Sequence, residues 1–153
     1  MTPAWIVLHC SAGDAPPDID WTDSEVGGLR RYHRSLDWRD IGYHYVVPAD
    51  GRVQTGRRPD VAGAHVRGLN GSSIGVCMVG SFEESLPPAR QWLSTLDLLA
   101  SLAVTYGLRS DRVIGHREAG PLVGYVVRKT CPGMAIDMGS VRAEVRRRMA
   151  RMV

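Results

Sequence analysis

Residues 73–79 read Ser-Ile-Gly-Val-Cys-Met-Val, a run of strand length that is apolar almost throughout. A strand with one face in water alternates apolar and polar residues, whereas a strand covered on both faces reads as a nearly continuous apolar run. The run therefore predicts a buried central strand. It is the strongest single indication of a sheet that is covered by other elements on both of its faces.

Strand and helix signals alternate on either side of this central run. The predicted strands are 4–9, 43–47, 52–55 after a turn at 48–51, and 112–114; the predicted helices are 22–33, 88–106 with Gly107 as its C-cap, and one that begins near Ser140. Thr22 and Glu25 have the spacing of a capping box, after a loop rich in Gly, Asp and Pro. We expect an α/β (α+β) fold over residues 1–153, a single domain with a central mixed β-sheet flanked by helices.

The composition excludes several classes of protein. No run of 18 apolar residues occurs, which predicts that no helix spans a membrane. The first nine residues lack the basic start and long apolar region of a secretory signal, which predicts synthesis in the cytoplasm. Three cysteines without tight spacing do not predict a disulfide framework.

Positive charge is concentrated at the end of the chain. Residues 140–153 contain five arginines and one glutamate, a net charge of +4, whereas the whole chain carries +3 and the rest therefore −1. The pattern predicts an arginine-faced helix, which is either an ordinary solvated face or a surface for an anionic polymer. Nucleic acid is not the expected partner, because no aromatic side chains interleave with these arginines.

A single lysine, Lys129, stands among eighteen arginines, two residues before Cys131. Arginine replaces lysine wherever only a solvated cation is needed. It does not replace lysine where a site needs a compact ammonium or an amine that can lose its proton, because guanidinium stays charged. The position of Lys129 beside a possible metal ligand therefore indicates chemistry, although chance is the alternative explanation.

Two histidines and one cysteine could form a metal site. His9 ends a predicted strand, His116 follows another, and Cys131 lies in a loop, where a nearby cation would favour its thiolate. Two imidazoles and a thiolate would hold one catalytic Zn²⁺ and leave a fourth position for water. Spacing does not decide this, and a cysteine hydrolase that uses Cys131 with His116 as its base is an open alternative.

The remaining cysteines, histidines and tyrosines are explained by ordinary packing or exposure. Cys10 and Cys77 are expected to be small buried thiols, and His33 an exposed, inert residue of the first helix. In the segment around His44, strand alternation predicts that Tyr43 and Tyr45 share one face and that His44 takes the other.

Six segments in register resemble one family. They are Val7–Ala12, Ile41–Tyr45, Gly63–Val66, Asn70–Cys77, Gly115–Glu118 and Lys129–Pro132. Together they are similar to the zinc-dependent N-acetylmuramoyl-L-alanine amidases of type 2, a superfamily that includes amidase-type phage lysozymes (endolysins) and the peptidoglycan recognition proteins. The similarity runs from about residue 5 to about residue 148, and we therefore expect one amidase domain over residues 1–153 without a separate cell-wall-binding domain.

The resemblance implies roles for particular residues. His9, His116 and Cys131 match the family's zinc ligands, Tyr43 matches its catalytic tyrosine, and Lys129 matches the catalytic lysine of the phage branch. His65 and Asn70 fall at positions that contact the substrate in the groove. The combination of tyrosine, lysine and cysteine resembles the phage or prophage branch more than the recycling relatives of bacteria.

The resemblance also implies a biological role. We expect a monomer that hydrolyses the amide between N-acetylmuramic acid and L-alanine in peptidoglycan, and that acts on the host cell wall after release from the cytoplasm. The arginine-rich helix could contact the cell envelope electrostatically. The alternatives are a peptidoglycan-binding module without catalysis and a cytoplasmic amidase of muropeptide recycling.

Overall fold

The computed structural model describes residues 1–11, 25–37 and 39–153. The strands are β1 (Trp5–Cys10), β2 (Tyr45–Val47), β3 (Gln54–Thr55), β4 (Ser73–Met78) and β5 (Val113–Gly115); the helices are α1 (Glu25–Ser35), α2 (Ala89–Thr105), α3 (Gly120–Val123) and α4 (Met138–Met152). Each predicted element is present, and α3 adds a short helix to what the sequence indicates only as a loop. The predicted capping residue Thr22 and the loop before it lie outside the described residues.

The five strands form one mixed sheet in the order β3-β2-β4-β1-β5. β4 lies at its centre, parallel to β1 and β2, and β1 is also parallel to β5, whereas the short β3 pairs antiparallel with β2. Every residue of β4 is buried, as the apolar run predicts. The fold class is therefore confirmed.

Alternate residues of the strands face two different layers. Ile6 and Leu8 of β1 pack with α2 and α4 in the larger core, which also contains Val141 and Val145 of α4. Each aliphatic side chain buried in this way stabilises the fold by about 1.5–3 kcal/mol. The opposite face of the sheet carries Val7 and His9, so the helices α2 and α4 leave that face available to loops and to α1.

Two of the sequence-based predictions, on the faces of the tyrosines around His44 and on the exposure of His33, are wrong. Tyr43 packs beside Val46 on the α1 side of the sheet, whereas Tyr45 packs against the core on the α2 side, because β2 begins only at Tyr45 and strand alternation does not extend back to Tyr43. His33 is buried rather than exposed, and its Nδ1 accepts a hydrogen bond from the backbone N–H of Gly42 at 2.9 Å. The predicted burial of Cys10 and Cys77 is confirmed.

The C-terminal helix is part of the core as well as a charged surface. Asp137 caps the N-terminus of α4, because the Asp137 carboxylate accepts the backbone N–H of Ser140 at 2.9 Å.

Within the described part of the chain, no helix combines the length and the apolar character that a membrane span requires.

Candidate metal centre and its groove

His9, His116 and Cys131 converge at one edge of the sheet. His9 lies near the carboxyl end of β1, and His116 directly follows β5, the parallel neighbour of β1. Strands that run parallel end at the same edge, so the two imidazoles are brought side by side, with ring centroids 4.8 Å apart. One donor atom from each of the three residues lies within 4.8 Å of the others. The cluster that the sequence indicates is therefore present.

The thiol of Cys131 is held beneath this edge by backbone contacts. Its Sγ accepts the backbone N–H of Cys10 at 3.3 Å and lies 3.8 Å from Nδ1 of His9. The backbone N–H of Arg117 donates to the carbonyl of Cys131 at 2.9 Å. The loop that carries the thiol is thus tied to β1 and to the helical turn, directly after β5, that carries His116.

The same loop is braced from its other side. The guanidinium of Arg117 donates to the carbonyls of Thr130 and Gly133, at 3.1 and 2.7 Å. The hydroxyl of Thr130 donates to the carboxylate of Glu83. Gly133 has a φ of +122°, and a Cβ there would lie 2.3 Å from the carbonyl oxygen of Phe82, so only glycine fits. The segment before Cys131, with Lys129, is thereby fixed at the rim of the site.

The chemistry of the donors fits a zinc ion. Two imidazole nitrogens and one sulfur are ligands that Zn²⁺ prefers, and three protein ligands are the usual number for a catalytic site. Burial, followed by electrostatic interactions with His65, His116 and Lys129, lowers the pKa of His9 well below its usual value. His9 is therefore a neutral imidazole, which is the form that donates to a metal.

The thiol of Cys131 differs from the sequence-based expectation. It is buried, and the adjacent Cys10 thiol, followed by burial itself, raises its pKa. Without a metal it is therefore protonated rather than a thiolate, and a divalent cation bound here would have to displace that proton.

A groove of about 440 Å³ opens above the cluster. Its floor and walls include every other residue that the sequence singled out for the site, together with residues that it did not; the lining residues are His9, Tyr32, His33, Leu36, Tyr43, Ala64, His65, Val66, Arg67, Gly68, Asn70, His116 and Lys129. Sequence reasoning missed Tyr32, in the last turn of α1, and Leu36, which directly follows that helix. It also missed Arg67, two residues after His65.

Tyr43 and Lys129 both line the groove but differ in their exposure to solvent. The Tyr43 ring is buried, with its centroid 5.1 Å from that of His9. Lys129 is exposed at the rim, close enough that its charge contributes to the lowered pKa of His9. The Tyr43 ring is therefore fixed by packing, whereas the side chain of Lys129 is exposed where a molecule enters the groove.

His65 and Asn70 both line the groove, and both also have contacts within the protein. The carboxamide oxygen of Asn70 accepts the backbone N–H groups of His65 and Val66, at 2.8 and 2.9 Å. Nδ1 of His65 lies 2.9 Å from Nε2 of His9. Asn70 thus shapes the loop that presents His65, and the expected contacts of both residues with substrate stay a prediction.

The fold and the site together define a class, a single-domain α/β protein with a cluster of two histidines and a cysteine that could hold a metal ion at the carboxyl edge of a mixed sheet. Residues 1–134 match the family model described as N-acetylmuramoyl-L-alanine amidase. The chain belongs to this family. The resemblance of the six segments is thereby confirmed, and so is the assignment of the chain as an amidase.

Individual relatives agree with this membership. The chain is 35% identical to an endolysin of Klebsiella phage KP32, over 83% of this chain and 78% of the phage protein. It is 36% identical to the human N-acetylmuramoyl-L-alanine amidase, over 86% of this chain but only 23% of that protein. Among solved structures, the amidase LysC of Clostridium intestinale superposes with a TM-score of 0.77 at 23% identity, covering 95% of this chain and 86% of that one.

The buried histidines predict a pH dependence of stability. Burial lowers the pKa of His65 to about 3 and lowers that of His44 and His9, whereas an unfolded chain titrates histidine near 6.5. Because the unfolded chain then binds more protons, the stabilisation is complete above about pH 6.5 and is lost as the pH falls towards the folded values. For His65 alone, the free energy of unfolding should fall by about 1.4 kcal/mol per pH unit well below 6.5.

Urea unfolding of the metal-free protein at pH 7.5, 6 and 5 measures this dependence. The pKa values of Asp40 and Asp137 lie below the ordinary 3.8, so these carboxyls contribute little in that window. His65→Gln removes one of the titrating groups and should show a shallower fall between pH 6 and 5. An unfolding midpoint that stays constant from pH 7.5 to 5 would contradict the prediction.

Proposed function

We propose that the chain is a zinc-dependent endolysin. It hydrolyses the amide between the lactyl group of N-acetylmuramic acid and L-alanine in peptidoglycan. The observation that carries this proposal is the convergence of His9, His116 and Cys131 beneath a groove, with Lys129 at its rim and Tyr43 in its wall. The 35% identity to a phage endolysin supports the role in lysis, in which the protein is made in the cytoplasm and reaches the wall after release.

The proposed reaction divides between the metal and the side chains around it. Bound by His9, His116 and Cys131, a zinc ion would supply a water whose pKa is lowered to about 7 and would polarise the scissile carbonyl. The ammonium of Lys129 would stabilise negative charge on the carbonyl oxygen or protonate the departing amine. The hydroxyl of Tyr43 would orient the attacking water or hydrogen-bond the tetrahedral intermediate, and His65 and Asn70 would contact substrate along the groove.

A cysteine hydrolase is the less favoured alternative. Its nucleophile would have to be a thiolate that the substrate can reach. Cys131 is buried and outside the lining of the groove, and the neighbouring Cys10 thiol raises its pKa. Such a thiol can bind a cation that lies between it and the groove, but it is poorly suited to attack a substrate in the groove.

Two further alternatives concern the biological setting. A binding module without catalysis has no need of a lone lysine at the rim of a potential metal site. A cytoplasmic enzyme of muropeptide recycling is less consistent with the combination of Tyr43, Lys129 and Cys131. We therefore favour a catalytic monomer whose substrate is the peptidoglycan of the wall.

Digestion of purified peptidoglycan tests the function. We expect mass spectrometry to find stem peptides with a free L-alanine amino group and glycan strands that keep intact lactyl groups. A chelator should abolish the release, and added Zn²⁺ should restore it. Release that is indifferent to chelation would favour the cysteine hydrolase, and binding to the wall without release would favour the binding module.

Matched cysteine variants provide the control for this digestion. Cys131→Ser should weaken zinc binding and abolish turnover, whereas Cys77→Ala, at a buried thiol of β4, should keep the zinc content of the wild type. A zinc content that Cys131→Ser leaves unchanged would contradict the assignment of this ligand.

The lysine itself gives a separate prediction. Lys129→Arg should keep fold and zinc content but lower kcat by about 100-fold, because guanidinium cannot shed its proton and spreads its charge over a planar fork. Arg128→Lys, at the exposed neighbouring residue, is the matched control and should retain activity. Steady-state hydrolysis of a soluble muropeptide measures both, and full activity of Lys129→Arg would remove the proposed role.

The arginines of α4 have partners within the protein to a large extent. Arg142 lies 2.8 Å from Glu118, and Arg147 and Arg148 pair with Glu144. Arg146 and Arg151 are exposed on the same helix. We place the proposed electrostatic contact with the envelope at these two residues.

Substitution tests this contact better than deletion, because Val141 and Val145 make α4 part of the core. The double variant Arg146→Gln/Arg151→Gln should lose about 3-fold in activity on whole envelopes at low salt but none on soluble muropeptide. Arg52→Gln/Arg109→Gln removes the same charge from exposed sites elsewhere and serves as the control. Equal losses in the two double variants would contradict a specific contact of α4.

A further inference from the structure

The ring of His65 connects the metal cluster to the interior of the sheet. Its Nδ1 lies 2.9 Å from Nε2 of His9, and its Nε2 lies 3.3 Å from the hydroxyl of Ser73. That hydroxyl lies 2.8 Å from the carbonyl oxygen of Leu69. A continuous chain of hydrogen bonds therefore runs from a backbone carbonyl to one of the candidate metal ligands.

The Leu69 carbonyl at one end determines which group donates and which accepts in each hydrogen bond of this chain. A carbonyl oxygen only accepts, so the Ser73 hydroxyl gives its proton to Leu69 and must accept from Nε2–H of His65. A neutral imidazole with its proton on Nε2 has a bare Nδ1, which accepts from Nε2–H of His9. His9 is then left with a bare Nδ1, and this is the nitrogen that lies 3.8 Å from Sγ of Cys131.

The ring of His65 occupies a tightly built position. A Cβ at Gly75 would lie 2.7 Å from Cγ of His65, and one at Gly63 would lie 2.5 Å from its Cδ2. Two glycines, one on β4 and one in the loop before His65, therefore make the space for this ring. The Asn70 carboxamide fixes the backbone of His65, as described above. Such a constrained ring holds its hydrogen-bonding atoms in one orientation.

We propose that His65 and Ser73 are positioning residues that fix the tautomer and ring orientation of His9, so that Nδ1 of His9 is presented as a metal ligand. The proposal rests on the metal site of the proposed function. Groups that hydrogen-bond the second nitrogen of a ligating histidine commonly change metal affinity by 10- to 100-fold when they are removed. Here that group is a neutral imidazole backed by a hydroxyl and a carbonyl, instead of a carboxylate.

The first test needs neither metal nor activity. In the metal-free protein, ¹⁵N chemical shifts of the imidazole rings report which nitrogen carries the proton. We expect His9 and His65 both to carry it on Nε2, with Nδ1 bare. A proton on Nδ1 of either residue would overturn the proposal, whether or not the protein binds zinc.

The second test separates an acceptor from a merely structural ring. His65→Phe keeps a ring and removes the acceptor, whereas His65→Asn removes the ring but places an amide oxygen where Nδ1 was. We expect zinc affinity, measured by competition with a chelating dye, to fall by about 10-fold or more in His65→Phe and to return to within about 3-fold of wild type in His65→Asn. A higher affinity in His65→Phe than in His65→Asn would overturn the proposal.

Ser73→Ala covers the case in which substitution of His65 unfolds the protein. It removes only a hydroxyl and should lower zinc affinity by about 3- to 10-fold. Ser72→Ala is its matched control, because the Ser72 hydroxyl lies 3.5 Å from the same Leu69 carbonyl, and its affinity should equal that of wild type. If Ser73→Ala and the wild type bind zinc with equal affinity, the proposed role of the hydrogen-bond chain from Leu69 to His9 is overturned. A wild-type protein that binds no zinc would instead refute the metal site. The ¹⁵N chemical shifts would still show which nitrogen of His9 and of His65 carries the proton.

Discussion

The parallel pairing of β1 with β5 is the constraint on which the site depends. Leu8 lies opposite Gly115 in that ladder, so the residues that come next, His9 in β1 and His116 directly after β5, lie side by side at the same edge of the sheet. A parallel pair needs a long crossover, and α2 supplies part of it on the face opposite the groove. The helices α2 and α4 are therefore kept away from the groove, and His9 and His116 are positioned by two neighbouring buried strands.

Parts of this arrangement can be read from local sequence. A continuous apolar run predicts β4 as the central strand, and the apolar runs that end near His9 and His116 predict where those imidazoles emerge, because these are properties of a few consecutive residues. The choice of Cys131 as their partner is of a different kind. It depends on a loop whose position is set by Arg117 and Glu83, and no local pattern encodes that position.

The failures of the sequence reasoning have the same physical origin. His33 reads as a polar residue of an amphipathic helix, but its burial depends on the Gly42 N–H that it meets from another segment. Cys131 reads as a loop cysteine that a nearby cation favours as a thiolate, but it is buried and the Cys10 thiol beside it raises its pKa. The contact between His65 and His9 spans 56 residues of sequence. In the local sequence, this contact corresponds only to two glycines, Gly63 and Gly75. Their lack of a side chain is explained by the His65 ring that packs against both of them.

The partner of His9 also bears on the charge of the site. A carboxylate in the place of His65 would add a negative charge beside a candidate metal and would reduce the net positive field at the floor of the groove. A neutral imidazole that ends on a hydroxyl and a backbone carbonyl orients the ligand without that charge. The thiolate form of Cys131 would then be the one anionic group among the three ligands, and the ammonium of Lys129 adds a further positive charge at the rim. Such a balance favours the stabilisation of a developing oxyanion, which is what hydrolysis of an amide requires.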